Sequence, residues 1–258
     1  MLDGQSVLVS GGSRGIGAAI CRALAGAGAH VWIAGRDRAG AEAMAAELRA
    51  GGARAEGLEL DVTERASVAR ARERAGVLAG LVNNAGVAES APLLARDAAA
   101  QDALFERQLA VNLHGVRHMT EAFAPAMLER GGGAIVNVVS SAGFTGYAYT
   151  AGYTASKHAA LGYTRVAQLE LGRRGVRVHA VCPHFVDSPM TDESVARIVE
   201  RTGRPEAEAR ALLAAQNPGR RLVTPDEVAA AVLDLLARPA GGRLVELDGG
   251  PQPLERDL

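Results

Sequence analysis

The sequence predicts an α/β fold: a doubly wound parallel sheet of about seven strands with helices on both faces. Three observations lead there. Short runs rich in Val, Ile and Leu, at 6–10, 30–34, 55–60, 81–83, 134–140, 176–182 and 243–247, alternate with longer stretches rich in Ala, Leu and Arg. The runs are continuously apolar, as suits strands covered on both faces, and the lengths between them suit crossover helices. A glycine-rich turn, Gly11-Gly12-Ser13-Arg14-Gly15-Ile16-Gly17, joins the first run to a helical stretch beginning near Ala18. Repeated β-α-β units of this kind build an open parallel sheet.

Composition narrows the class further. A chain of 258 residues with 48% hydrophobic and 22% charged residues is expected to fold as one globular domain over 1–258. Aromatics make up only 3%, so the core must rely on Ala, Val and Leu. The net charge of −1, with acids and bases interleaved, offers no basic field for nucleic acid. No apolar run is long enough for a bilayer and the first residues lack a signal-peptide layout, so a cytoplasmic protein without a membrane partner is expected. Cys21 and Cys182 lie in apolar runs and read as small core residues of a reducing compartment. The six histidines show no metal-ligand spacing, so no metal is expected.

Taken in order, the first strand delivers the glycine turn, whose glycines let the backbone approach a pyrophosphate while the following helix offers free N–H groups. The second strand ends in Ala34-Gly35-Arg36-Asp37. A carboxylate at position 35 would hold a ribose 2′-hydroxyl; here glycine stands instead, and Arg36 with Arg14 would converge on a 2′-phosphate. NADP(H) is therefore favoured, with NAD(H) open if Asp37 faces the ribose. The third strand leads to Asp61-Val62, the fourth to Asn83-Asn84-Ala85-Gly86 and the sixth to Pro183. The stretch at about 188–224 breaks the rhythm with two helix-like pieces and no strand. It falls late in the sheet, near the edge where such folds bind ligands, and is expected to form a substrate lid.

Lysine is used once among the 28 Lys and Arg residues, at Lys157, four residues after Tyr153. Residues so spaced share a helix face. The ammonium is expected to lower the Tyr153 pKa and make the phenol a proton donor and acceptor near neutral pH.

These motifs, in this order, resemble the short-chain dehydrogenase/reductase family, in its compact single-domain kind, along essentially the whole chain. The resemblance implies a Rossmann-type fold and an NAD(P)-dependent enzyme interconverting a ketone and a secondary alcohol. It implies a tetrad of Asn112, Ser140, Tyr153 and Lys157, with Ser140 thirteen positions before Tyr153 and Ser141 its competitor. Tyr153 would pass the proton, Ser140 would hydrogen-bond the carbonyl oxygen, Lys157 would grip the nicotinamide ribose, and Asn112 would hold a proton-relaying water. Gly11, Ser13, Arg14, Gly15, Ile16 and Gly17 would cradle the cofactor, with Asp61 and Val62 at the adenine. Asn83, Asn84, Ala85, Gly86, Pro183, Val186 and Ser188 would border it.

The chain departs from that family in carrying His184 for the usual glycine, expected to point to solvent, and Gly80 for the usual aspartate. The nearest likeness is to 3-oxoacyl-thioester and polyketide ketoreductases. A substrate on coenzyme A or acyl-carrier protein would suit a lid rich in arginine, at Arg197, Arg201, Arg204, Arg210, Arg220 and Arg221. An NAD(H)-dependent dehydrogenase of a small secondary alcohol, sugar or steroid-like molecule is the alternative. A non-catalytic NADP(H)-binding sensor or scaffold is a more distant one. The family also implies a homotetramer.

Overall fold

The computed structural model describes residues 2–94 and 97–258. Its strands are β1 (Ser6–Ser10), β2 (His30–Gly35), β3 (Arg54–Glu59), β4 (Gly80–Asn83), β5 (Gly133–Val138), β6 (Val176–Pro183), β7 (Arg243–Leu247) and β8 (Leu254–Asp257). They form one sheet in the order β3-β2-β1-β4-β5-β6-β7-β8. β1 through β7 run parallel, and β8 pairs antiparallel with β7. The fold is therefore Rossmann-type as expected, with one strand more than the apolar runs indicate. β8 escapes detection because Leu-Glu-Arg-Asp carries no apolar run and all four residues are exposed. Ion pairs hold it instead: Arg238 to Glu255 at 2.8 Å, Arg243 to Asp257, and Arg256 to Glu246.

The helices are α1 (Gly15–Gly26), α2 (Arg38–Ala50), α3 (Arg65–Ala75), α4 (Ala98–Leu109), α5 (Val116–Glu129), α6 (Ala151–Leu171), α7 (Pro189–Thr202), α8 (Glu206–Ala214) and α9 (Pro225–Ala237). Strand pleating divides the core. In β1, Val7 and Val9 join the α1, α2 and α9 layer with Ile20, Met44 and Val232, whereas Leu8 joins the α3, α5 and α6 layer with Val68, Phe123 and Ala167. Cys21 and Cys182 lie in this core as free thiols, and burial pushes both up to about 12. Gly80 has a packing reason: a Cβ there would stand 3.1 Å from Leu236 of α9 and 3.2 Å from Val7. A side chain at that position would need the tips of Leu236 and Val7 to give by a few tenths of an ångström.

The strand order reverses between β1 and β4, and crevices at such a point open at the carboxyl ends of the strands. The segment at 188–224 supplies α7 and α8, as its two helical pieces predict. The two helices have their own small core of Val195, Ala209 and Leu213, packed against Phe185 and Leu222. No helix among the described residues is long and apolar enough to cross a membrane.

Candidate active site

A cleft of about 610 Å³ opens along the carboxyl ends of the central strands. Its floor at β1 is the glycine turn. Gly11 and Gly15 take φ of +66° and +54°, and a Cβ on Gly17 would collide with the Gly11 carbonyl oxygen. Only glycine lets the backbone turn and enter a helix here. α1 begins at Gly15, earlier than expected, and Arg14 precedes it in extended conformation without a side-chain cap. Its first N–H groups are thereby left for a ligand. The turn is tied from below: Asn84 Nδ2 donates to the carbonyls of Ser10 and Gly11 at 3.1 and 3.0 Å. Ser10 Oγ accepts from the backbone of Asn84 and Ala85, both at 3.1 Å.

The cleft lining brings together most of the residues the sequence singles out. Gly11, Ser13, Arg14, Gly15, Ile16, Gly17, Arg36, Asp61, Val62, Asn84, Ala85 and Gly86 line one part. Ser140, Tyr153, Lys157, Pro183, Val186 and Ser188 line the other. Asn83 and Asn112 are not among the lining residues. The pleat turns Asn83 away from Asn84, and its Nδ2 donates to Asn137 Oδ1 at 2.8 Å, joining β4 to β5 in the core. Asn112 sits buried in a π-helical turn (Ala110–Gly115) between α4 and α5. Its Oδ1 accepts from Val87 N at 2.9 Å, and its Nδ2 donates to Val87 O at 2.9 Å and to Ser156 Oγ at 3.0 Å. Such π turns recur at functional sites, where the extra residue re-aims a side chain.

Tyr153 and Lys157 stand one turn apart on α6, with the ammonium 5.8 Å from the phenol ring centroid. Lys157 Nζ is buried and donates to Val138 O at 3.0 Å. Burial pulls the ammonium down to about 8, opposed in part by the Cys182 sulfur. Burial also raises the Tyr153 phenol above its ordinary value, and the nearby Ser140 hydroxyl opposes the rise. The direction is opposite to the sequence expectation. The reason is geometric: the ammonium lies over the ring and is spent on a carbonyl, so desolvation of the hydroxyl dominates.

Ser140 faces that phenol, whereas Ser141 is engaged with the Tyr147 hydroxyl at 2.8 Å.

Sequence reasoning passed over Tyr147, Phe185 and Met190, which also line the cleft. They lie in turns and at a helix start, where neither periodicity nor motif marks them. Three of the six arginines of the 188–224 segment are paired with carboxylates. Arg210 pairs with Asp187 at 2.6 Å and with Asp192. Arg221 pairs with Glu227 and Arg204 with Glu208. Arg197 is the one of the six that lines the cleft. His184, expected to face solvent, is turned inward with its side chain 7% exposed, bound to Glu246.

The short chain dehydrogenase model matches residues 5–198. Among curated proteins, 2-(S)-hydroxypropyl-CoM dehydrogenase 3 of Xanthobacter autotrophicus is 39% identical over 96% of this chain and 97% of its own length. D-beta-hydroxybutyrate dehydrogenase of Cupriavidus necator is 34% identical over 97% and 98%. Among solved structures, a variant of actinorhodin polyketide ketoreductase with NADPH superposes with a TM-score of 0.85 at 35% identity, over 97% of this chain and 98% of that one. These matches run along nearly the full length of each protein. The chain belongs to the short-chain dehydrogenase family and is an oxidoreductase acting on CH–OH and C=O groups.

Proposed function

We propose that this enzyme uses NADP(H) to interconvert a ketone and a secondary alcohol, with a 3-oxoacyl thioester as the ketone. The observation that carries the reading is the grouping of Ser140, Tyr153 and Lys157 on one wall of the cleft that the glycine turn floors. The residues present fit a dinucleotide: positive-φ glycines, a helix start without a side-chain cap and the Asn84 tie give a cradle for a pyrophosphate. Arg14 and Arg36 are exposed on the cleft and make no ion pair with a carboxylate among the described residues. A Cβ at Gly35 would meet nothing within 4 Å, and Asp37 Oδ1 is taken up by Gly40 N as the cap of α2. Two guanidinium groups beside open space suit a 2′-phosphate, so NADP(H) is preferred.

When bound, the nicotinamide supplies or accepts the hydride. Ser140 would hydrogen-bond the carbonyl oxygen as charge develops on it. Tyr153, kept protonated by burial, would hand that oxygen its proton. Lys157, on the same wall, would hold the ribose and restore the phenol. A Cβ on Gly86 would lie 3.2 Å from Asn112 Oδ1 and 3.7 Å from Lys157 Nζ, so glycine keeps the way between them open. That supports Asn112 as the residue through which a water relays protons to Lys157. α7 would act as a lid, since Pro189, Met190, Ser194 and Arg197 line the cleft.

Arg197, whose Nη2 donates to Ser194 Oγ at 3.0 Å, has no carboxylate partner among the described residues and would meet an anionic carrier. The pairing of Arg210, Arg221 and Arg204 favours a second reading, a small secondary alcohol or sugar without an acidic carrier. Initial rates at 340 nm with NADPH and NADH, on acetoacetyl thioesters, simple ketones and sugars, separate them. Thioester reduction with NADPH is expected. Faster turnover of sugars or simple alcohols than of any thioester would overturn the substrate, and a clear NADH preference would overturn the cofactor.

A further inference from the structure

The chain has nine aromatic residues, four Phe, four Tyr and one Trp, and its core is built largely of aliphatic side chains. Three of the nine, Tyr147, Tyr153 and Phe185, line the cleft. Tyr153 is accounted for by the proton it passes. Tyr147 and Phe185 are not. They come from separate loops, stay half-buried and meet edge to face, with ring centroids 5.6 Å apart and planes at 78°. Two rings at right angles offer both a face and an edge to a third flat group, in the arrangements that aromatic rings prefer.

Both rings are fixed before any ligand arrives. The backbone of Phe185 is held by the buried amide of Asn217, whose Oδ1 accepts from Phe185 N and whose Nδ2 donates to Phe185 O, each at 2.9 Å. Nδ2 also donates to the Arg221 carbonyl at 2.6 Å, so this amide has no spare hydrogen. Phe185 then packs on the small core of Val195, Ala209 and Leu213. The Tyr147 hydroxyl lies 2.8 Å from Ser141 Oγ, and the Tyr147 carbonyl accepts from Thr150 Oγ1 at 2.8 Å. Tyr149 completes that turn at φ of +67°, a left-handed conformation costly for a bulky residue, and its carbonyl accepts from Ala91 N at 2.9 Å. With its hydroxyl engaged by Ser141, what Tyr147 adds to the cleft is chiefly its ring.

The pair stands beside the reacting groups. Ser141 follows Ser140, whose Oγ donates to the Pro183 carbonyl at 3.5 Å, two residues before Phe185. The Tyr147 phenol adds to the rise that burial gives the Tyr153 pKa, which places it close to the proton donor. Met190 of α7, 37% exposed, lines the same cleft with a polarizable thioether that also suits aromatic contacts. We propose that Tyr147 and Phe185 form an aromatic subsite for the group attached to the reacting carbonyl carbon, and that this enzyme selects 3-oxoacyl thioesters with a flat aromatic group there over saturated ones. The proposal rests on the ketone reduction proposed above and narrows its substrate.

The test uses thioesters of 3-oxo-3-phenylpropanoate and 3-oxo-3-cyclohexylpropanoate, which match in ring size and differ in flatness. Rates at saturating NADPH give kcat/KM for each in wild type, Phe185→Leu, Tyr147→Leu and Tyr147→Phe, with Tm recorded alongside. The intrinsic reactivity of the two ketones is common to every variant, so a change in their ratio reports the subsite. Phe185→Leu and Tyr147→Leu should each lower the phenyl-to-cyclohexyl ratio by about 5-fold. Tyr147→Phe keeps the ring and should retain the ratio. Calorimetry of 1-phenylethanol and 1-cyclohexylethanol on the enzyme–NADPH complex makes the same comparison without turnover, and wild type should bind the phenyl alcohol tighter by about the same factor. A ratio unchanged in both Leu variants, or equal losses for both thioesters that follow Tm, overturns the proposal. Weaker NADPH binding in the Leu variants at an unchanged ratio also overturns it and assigns the rings to the nicotinamide. If NADPH binds but neither thioester is reduced, the reaction reading fails, and the Kd values of the two alcohols alone decide the subsite.

Discussion

Lys157 is the chain's one lysine, a compact ammonium buried against the Val138 carbonyl at 3.0 Å. That uniqueness makes it measurable. Protein labelled with ¹³C-lysine should show a single lysine spin system, and its Cε shift should titrate with a midpoint near 8 in the free enzyme. A midpoint in the ordinary lysine range, about 10.4, would mean that burial does not act on this ammonium. The sign for stability follows. Between about 8 and the ordinary value, the unfolded chain binds more protons at this site than the folded one. Stability contributed here therefore rises with pH across that window, and Lys157→Met should remove the rise. Tyr153 has its pKa raised by burial, so reduction should draw on a phenol that stays protonated at neutral pH. Tyr153→Phe should lower kcat for reduction by about 10²–10⁴ while leaving the Kd for NADPH within a few-fold. Unchanged turnover would remove Tyr153 from the chemistry.

At the scale of elements, two short segments decide whether the site is assembled. The β1–α1 turn works because Gly17 has no side chain to strike the Gly11 carbonyl. Gly17→Ala should abolish measurable NADPH binding and lower Tm, whereas a neutral result would mean that the turn can relax. α9, which packs against α1 and strands β5, β6 and β7, starts with a capping box: Thr224 Oγ1 accepts from Glu227 N at 3.2 Å, and Glu227 Oε2 accepts from Thr224 N at 2.7 Å. Thr224→Ala should cost about 1 kcal/mol in denaturant unfolding. The Arg221 guanidinium beside Glu227 holds its carboxyl well down, to about 2. Stability from this charge is present above the ordinary carboxylate range and lost as pH falls through about 2. The Tm gap between wild type and Glu227→Gln should therefore close between pH 5 and pH 2. A gap that persists would assign the effect to the cap geometry alone.

Across the whole molecule, ligand and subunits are the remaining determinants. NADPH at about 100 times its Kd should stabilise the fold by about 2.7 kcal/mol, and thermal shifts should be larger for NADPH than for NADH at equal concentration. Arg36→Ala should narrow that difference if Arg14 and Arg36 hold the 2′-phosphate; an unaffected difference would release Arg36 from that role. Val166 and Leu169 stay exposed on α6, where a homotetramer of the kind expected from the sequence would cover them. Light scattering should give the mass of four chains, and Leu169→Glu should shift it downward.

The alternation of apolar runs, the glycine turn and the Tyr153–Lys157 spacing are local signals, each contained within a few turns of chain. They set the element order, and most of the site residues they single out line the cleft. β8 was invisible because ion pairs to Arg238, Arg243 and Glu246 hold it, not its own hydrophobicity. Asn83 and Asn84 are neighbours in sequence, yet pleating sends one to the core and the other to the turn. The inward turn of His184 and the pairing of Arg210 depend on residues distant in sequence, Glu246 lying 62 positions beyond His184 and Asp187 23 before Arg210, and the direction of the Tyr153 shift depends on burial. Desolvation and charge pairing depend on what packing brings near, and only the tertiary structure decides that.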